Sequence, residues 1–173
     1  MAFVNRLLKL PAADDPNFRA TLLRYFSDLQ KPGALAIQRM QYWTPTLTFA
    51  TPGNLSVVYS TRVGEVIQTE NEIRALFRIV TSTFTHTTAA GDLQVTGLPY
   101  LANADTGYTR DGNCVWSGIT KAGYTQISCS VSAGSGTILF SASGSGVAVT
   151  TVGAGDMPTT GTVVLRGNIS LRI

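Results

Sequence analysis

The sequence predicts an all-β fold, a jelly-roll-like antiparallel β-sandwich with a short N-terminal arm and one α-helix. Three observations predict it. After residue 42, short runs of alternating apolar and polar residues recur between clusters of Gly, Pro, Asn and Ser. Helical spacing of apolar residues occurs only before Gly33. The span Ala122–Gly155 holds no Asp, Glu, Lys or Arg, only small polar residues among apolar ones.

Residues 1–13 read as an irregular arm. Asp14-Asp15-Pro16 then opens a helix, with an Asp cap and a Pro in the first turn, where its missing N–H costs nothing. Phe18, Leu22, Leu23, Tyr25, Phe26 and Leu29 share one broad helical face, and Pro32-Gly33 ends it. Such a helix has about 15 residues and a length of about 22 Å. Alone in water it is marginal, so its apolar face is expected to dock. Phe18, Leu22, Phe26 and Leu29 are therefore the candidate anchoring residues. Ala34–Tyr42 reads as a linker, which makes 1–42 the arm and anchoring helix and 43–173 the β-domain.

Within the β-domain, strands are expected over 46–49, 56–61, 65–69, 72–84, 93–96, 112–119, 125–132, 137–141, 146–152 and 162–172. Turn chemistry separates them at Thr51-Pro52-Gly53-Asn54, Ala89-Ala90-Gly91-Asp92, Ala133-Gly134-Ser135-Gly136, Ser143-Gly144-Ser145-Gly146 and Asp156-Met157-Pro158. About ten short strands in about 130 residues suit a sandwich, and the count suggests a jelly roll. Alternation is plainest at the end. Val164, Arg166, Asn168, Ser170 and Arg172 take one face, while Leu165, Ile169, Leu171 and Ile173 take the other.

Composition narrows the function. At 173 residues the chain holds one domain with a proper core and a short appendix. Charged residues are 13%, against about 25% in ordinary soluble domains. A neutral Ser/Thr/Gly surface suits a protein packed against copies of itself. Net charge is +3, and no aromatic stripe interleaves the basic residues, so no nucleic-acid partner is expected. Asn5, Arg6 and Lys9 interrupt the first apolar stretch, so no secretory leader is expected and synthesis in a cytoplasm is. No apolar run nears the ~20 residues that cross a bilayer, so no membrane insertion is expected. Cys114 and Cys129 flank the turn Lys121-Ala122-Gly123-Tyr124, which sets them almost opposite each other on paired strands. A bond between them is geometrically open, but free buried thiols fit a cytoplasmic origin better.

No catalytic constellation is legible. The one histidine, His86, has no nearby orienting partner or nucleophile and reads as a turn or half-exposed strand residue. Asp92, Asp105, Asp111 and Asp156 sit in turns, and Glu65, Glu70 and Glu72 lie in one segment, so no carboxylate pair for glycoside cleavage stands out. Asp105–Asn113 is oxygen-rich without the spacing of a calcium loop, and the paired glycines lack the rest of a nucleotide-binding motif. No enzyme activity, cofactor or metal is expected. Tyr100, Tyr108, Trp116 and Tyr124 gather around the middle loops, and Tyr108, Trp116 and Tyr124 are the candidates for stacking on a host-surface glycan.

Trp43, Pro45, Leu47, Phe49, Tyr59, Ser60, Gly64, Gly97, Leu98 and Pro99 resemble a pattern of β-domains in bacteriophage tail fibres, tailspike ends and other virion appendages. The resemblance covers about 43–100, and Glu65 and Val66 stand where that pattern has an aromatic. It implies a homotrimer of jelly rolls with no enzymatic role, located in the virion and assembled in the host cytoplasm. Its partners would be other copies of itself and other virion proteins. Two roles follow from it: a short tail fibre or receptor-binding appendage held by its N-terminus, or a capsid decoration protein that cements the shell. The single helix favours the fibre.

Overall fold

The computed structural model describes residues 23, 39–69, 71–105 and 110–172. The chain divides into two units, Met1–Ile37 and Gln38–Ile173. Of the first, Leu23 alone is described, in helical conformation and 62% exposed. The rest of the expected helix, with Phe18, Leu22, Phe26 and Leu29, lies outside the described residues.

The second unit is all-β and antiparallel. Its strands are β1 (Arg39–Trp43), β2 (Thr46–Thr51), β3 (Ser56–Gln68), β4 (Glu72–Thr85), β5 (Ala90–Thr96), β6 (Arg110–Ser117), β7 (Gln126–Val131), β8 (Ile138–Gly144), β9 (Val147–Thr151) and β10 (Val164–Arg172), with a 3-10 turn at Ala154–Asp156. Hydrogen bonding runs unbroken in the order β1-β3-β4-β10-β6-β7-β8-β5-β2, with β9 added on β8. The sandwich of two separate sheets expected from the sequence is thus replaced by one curled sheet.

The curl follows from chain connectivity. β1 and β2 lie at opposite ends of the nine-strand path, which laid flat would span about 38 Å at about 4.8 Å per strand. Yet only Thr44 and Pro45 separate Trp43 from Thr46, and that step reaches about 10 Å at most. The sheet has to bend until its two ends nearly meet. Side chains bridge them where no ladder forms. Leu47 N donates to Tyr59 Oη at 3.0 Å, Arg62 Nε donates to the Pro45 carbonyl at 2.7 Å, and an Arg62 terminal nitrogen donates to Thr46 Oγ1. The Arg62 guanidinium also lies over the Tyr59 ring.

Inside the curl the alternating residues form the core. Leu165, Ile169 and Leu171 of β10 are buried while Arg166, Ser170 and Arg172 are exposed, as the pattern predicts. Phe49, Phe84 and Phe140 are among the largest fully buried side chains. β3 corrects the expected break between 61 and 65. It is one strand with register irregularities from Val58 to Thr61, and the inward phase slips there from Val57 and Tyr59 to Arg62, Gly64 and Val66. A phase slip in a continuous strand looks in sequence like two strands. Arg39–Tyr42, expected as linker, forms most of β1, which pairs in register with β3.

Candidate functional site

Part of the pattern that carries the resemblance meets at the closing corner of the sheet, while Ser60 and Pro99 are exposed and Ser60 Oγ donates to the Val80 carbonyl. Trp43 is paired in register with Gly64, is buried, and donates its Nε1–H to the Leu76 carbonyl at 3.3 Å. A Cβ on Gly64 would sit 2.6 Å from the indole Cδ1. On the other side Gly97, at φ +94°, lies so close that a Cβ there would sit 2.7 Å from the Thr44 carbonyl oxygen and 3.8 Å from the indole Cε3. The indole therefore fills a slot that Gly64 leaves open, while the missing side chain of Gly97 makes room for the Thr44 carbonyl beside it. Pro45, Leu47 and Leu98 are buried beside this stretch of chain, Tyr59 reaches it through its bond to Leu47, and Phe49 packs further along the sheet on Phe84 and His86. The motif is a closure device for the fold.

The candidate glycan contacts fare differently. Tyr108 lies outside the described residues. Trp116 is half-buried, opposite the fully buried Leu165, and packs on the core. Tyr124 is half-buried too, with its hydroxyl donating to the Ala148 carbonyl at 3.1 Å and the Lys121 ammonium near its ring. Tyr100 spends its hydroxyl on Gln68 at 2.9 Å. Among the described residues the exposed aromatic is Tyr42, at 73%, on a strand that sequence reasoning takes for linker.

Tyr42 belongs to an outward face defined by registers. One row across the sheet runs Tyr42, Glu65, Leu76, Asn168 and Asn113. The next runs Val63, Arg78, Arg166 and Val115. Tyr42, Val63, Glu65, Leu76 and Arg78 line a shallow depression. Nothing in the sequence alone aligns Arg78 with Arg166; the antiparallel pairing of β4 with β10 does.

The remaining polar groups are absorbed locally. The Asp156 carboxylate takes Lys121 Nζ at 2.7 Å and the Gly153 N–H at 2.9 Å, which is turn chemistry. Asp105 N donates to Asn103 Oδ1 at 2.9 Å, and 106–109 lie outside the described residues. His86 corrects its expected half-exposed setting. It is buried against the rings of Phe49 and Phe84, and its Nε2 has no partner among the described residues. Cys114 and Cys129 are free and buried. They are not directly opposite, because Cys129 faces Gly112; they stand on a diagonal of β6 and β7. Burial pushes the Cys114 thiol up to about 12, helped by the neighbouring Cys129, and pushes Cys129 up to about 11. Both are inert protonated thiols at neutral pH. Among the described residues no helix is long and apolar enough to cross a membrane.

No protein-family model matches the chain, and no curated protein sequence matches it significantly. Its fold is similar to part of a solved structure, the crystal structure of the Dettilon tailspike protein (gp208). The TM-score is 0.55 at 18% sequence identity, over 76% of this chain and 23% of that one. At this identity the likeness is one of fold. The chain has the β architecture of a segment of a tailspike and spans less than a quarter of that protein's length.

Proposed function

We propose that the protein is a non-enzymatic structural component of a bacteriophage virion, a homotrimeric short tail fibre or tailspike-type appendage that contacts the host surface. The observation that carries this reading is the fold shared with a tailspike segment. Self-association is supported by β9, whose five residues, Val147-Ala148-Val149-Thr150-Thr151, are all exposed and uncharged. Among the described strands β9 pairs only with β8, so it offers an edge without the lysines or prolines that keep edges apart. The N-terminal residues, with Phe18, Leu22, Phe26 and Leu29 at helical spacing, would hold the protein to the particle.

The test is localisation. Purified particles labelled with antibody to this chain should show label at the tail by electron microscopy. Label spread over the head would replace the appendage with a capsid decoration protein, and unlabelled particles would end the virion reading altogether. A Leu22→Ser/Phe26→Ser variant should leave the β-unit folded and be absent from particles. Light scattering of the full chain should give a trimer at micromolar concentration; a monomer would remove the self-association.

A further inference from the structure

The outward face of β1, β3, β4 and β10 carries a charge arrangement that its own neighbours do not neutralise. Arg78 and Arg166 stand directly opposite each other on adjacent strands, both exposed. Like charges at that spacing, about 4.5–5.5 Å between Cβ atoms, oppose sheet pairing. Among the described residues neither guanidinium has an ion-pair or hydrogen-bond partner. Glu65 faces outward diagonally from Arg78, one strand over, yet the two do not pair. Among the described residues the depression therefore keeps the free carboxylate of Glu65 and the free guanidinium of Arg78 beside the exposed ring of Tyr42, with Arg166 flanking it on the next strand, opposite Arg78.

From this arrangement we infer that the face is a binding site for an acidic oligosaccharide, which gives the proposed appendage a specific contact and rests on that reading. Each group has a use that the others do not duplicate. The Arg78–Arg166 pair presents planar donors for a sugar carboxylate, the geometry in which guanidinium groups bind carboxylates bidentately. The Tyr42 ring offers an apolar face for the C–H side of a pyranose. Glu65 accepts hydroxyl hydrogens, and the Asn168 amide both donates and accepts. Glu65 also selects. A uniformly anionic partner, such as an acidic peptide or a nucleic acid, would place negative charge against it. A sugar chain with a carboxylate on one residue and neutral hydroxyls on the next meets both signs. Val63 and Leu76 supply the apolar floor.

The experiment is calorimetric titration of the full chain with hexasaccharides of hyaluronan and of heparosan, in which a uronic acid alternates with neutral N-acetylglucosamine, against neutral maltohexaose. At least one acidic hexasaccharide should bind and the neutral one should not. Binding should weaken as salt rises. Arg78→Gln and Arg166→Gln should each lower affinity about tenfold or more, and Tyr42→Ala should lower it as well. These side chains are exposed, so circular dichroism should show unchanged folds. Equal binding of the neutral sugar, binding indifferent to both arginine variants, or no binding by either acidic sugar would each overturn the site. If Tyr42→Ala instead dissociates an oligomer by light scattering, the face is an interface between copies and the sugar site falls. Particle labelling is independent of all these outcomes, so a failed sugar site leaves the appendage reading standing, and unlabelled particles sink that reading alone.

Discussion

Replacing Gly64 by Ala tests whether the Trp43 slot is what closes the sheet. The backbone at Gly64 is ordinary extended strand, so any cost comes from space. The added methyl would enter the indole at 2.6 Å from Cδ1, and the ring is held in place by its bond to the Leu76 carbonyl and by its burial. Overpacking of this kind costs about 1–3 kcal/mol. Removing the ring instead, Trp43→Ala, should cost about 3–5 kcal/mol. At about 3–4 °C per kcal/mol for a domain of this size, that lowers Tm by roughly 10–20 °C. The informative quantity is the double variant. Without the indole the methyl added by Gly64→Ala has room, and alanine is favoured over glycine in a strand by about 0.5 kcal/mol or more. Gly64→Ala should then become neutral or stabilising, a coupling of about 1.5 kcal/mol or more. Urea unfolding of the four full-length proteins, followed by circular dichroism, measures it. If Gly64→Ala costs the same with and without Trp43, the indole does not occupy the slot described.

Three further outcomes follow from the geometry. Asn54 ties the β2–β3 turn to the β4–β5 turn. Its Oδ1 accepts from Thr87 N, Thr88 N and Thr88 Oγ1, and its Nδ2 donates to Thr87 Oγ1. Asn54→Ala should cost about 1–2 kcal/mol in urea unfolding and Asn54→Asp less, since the acceptor oxygen survives. Arg62→Lys should cost about 1–2 kcal/mol, because a lysine cannot hold the Pro45 carbonyl and Thr46 while stacking on Tyr59; an unchanged urea midpoint would show that the seam needs no bridge. The cysteines give a pH signature. Their folded thiols titrate near 12 and 11, above the ordinary 9.0. The unfolded chain therefore loses its thiol protons first as pH rises, and stability should fall from about pH 9 toward pH 11–12. A Cys114→Ala/Cys129→Ala variant should show a shallower fall over that window, and identical slopes would mean that the thiols are not buried as described.

What the sequence makes legible is faces, and what it hides is neighbours. β10 can be sorted residue by residue because Leu165, Ile169 and Leu171 alternate with polar residues, a period-2 signal carried within one strand. β1 escapes notice because its Met40 and Tyr42 are exposed along with the rest of its first four residues, so an edge strand paired on one side shows no buried alternation. Aromatics chosen by loop position suffer the same error in reverse. Trp116 shares its face of β6 with the buried Cys114, so a ring that loop position marks as free is committed to the core, while Tyr42, in an apparent linker, stands in the open. Strand order is further out of reach. β10 inserts between β4 and β6, and β5 between β8 and β2, pairings that no local period encodes. Those insertions create the candidate site: Arg78 and Arg166 become a pair only because the last strand returns to the fourth. The residue that orders the fold is readable, however. A tryptophan, a proline, and glycines at 64 and 97 are a sparse signal in one dimension, and they converge because a sheet whose ends must meet within two residues needs one large side chain and two absent ones at the same corner.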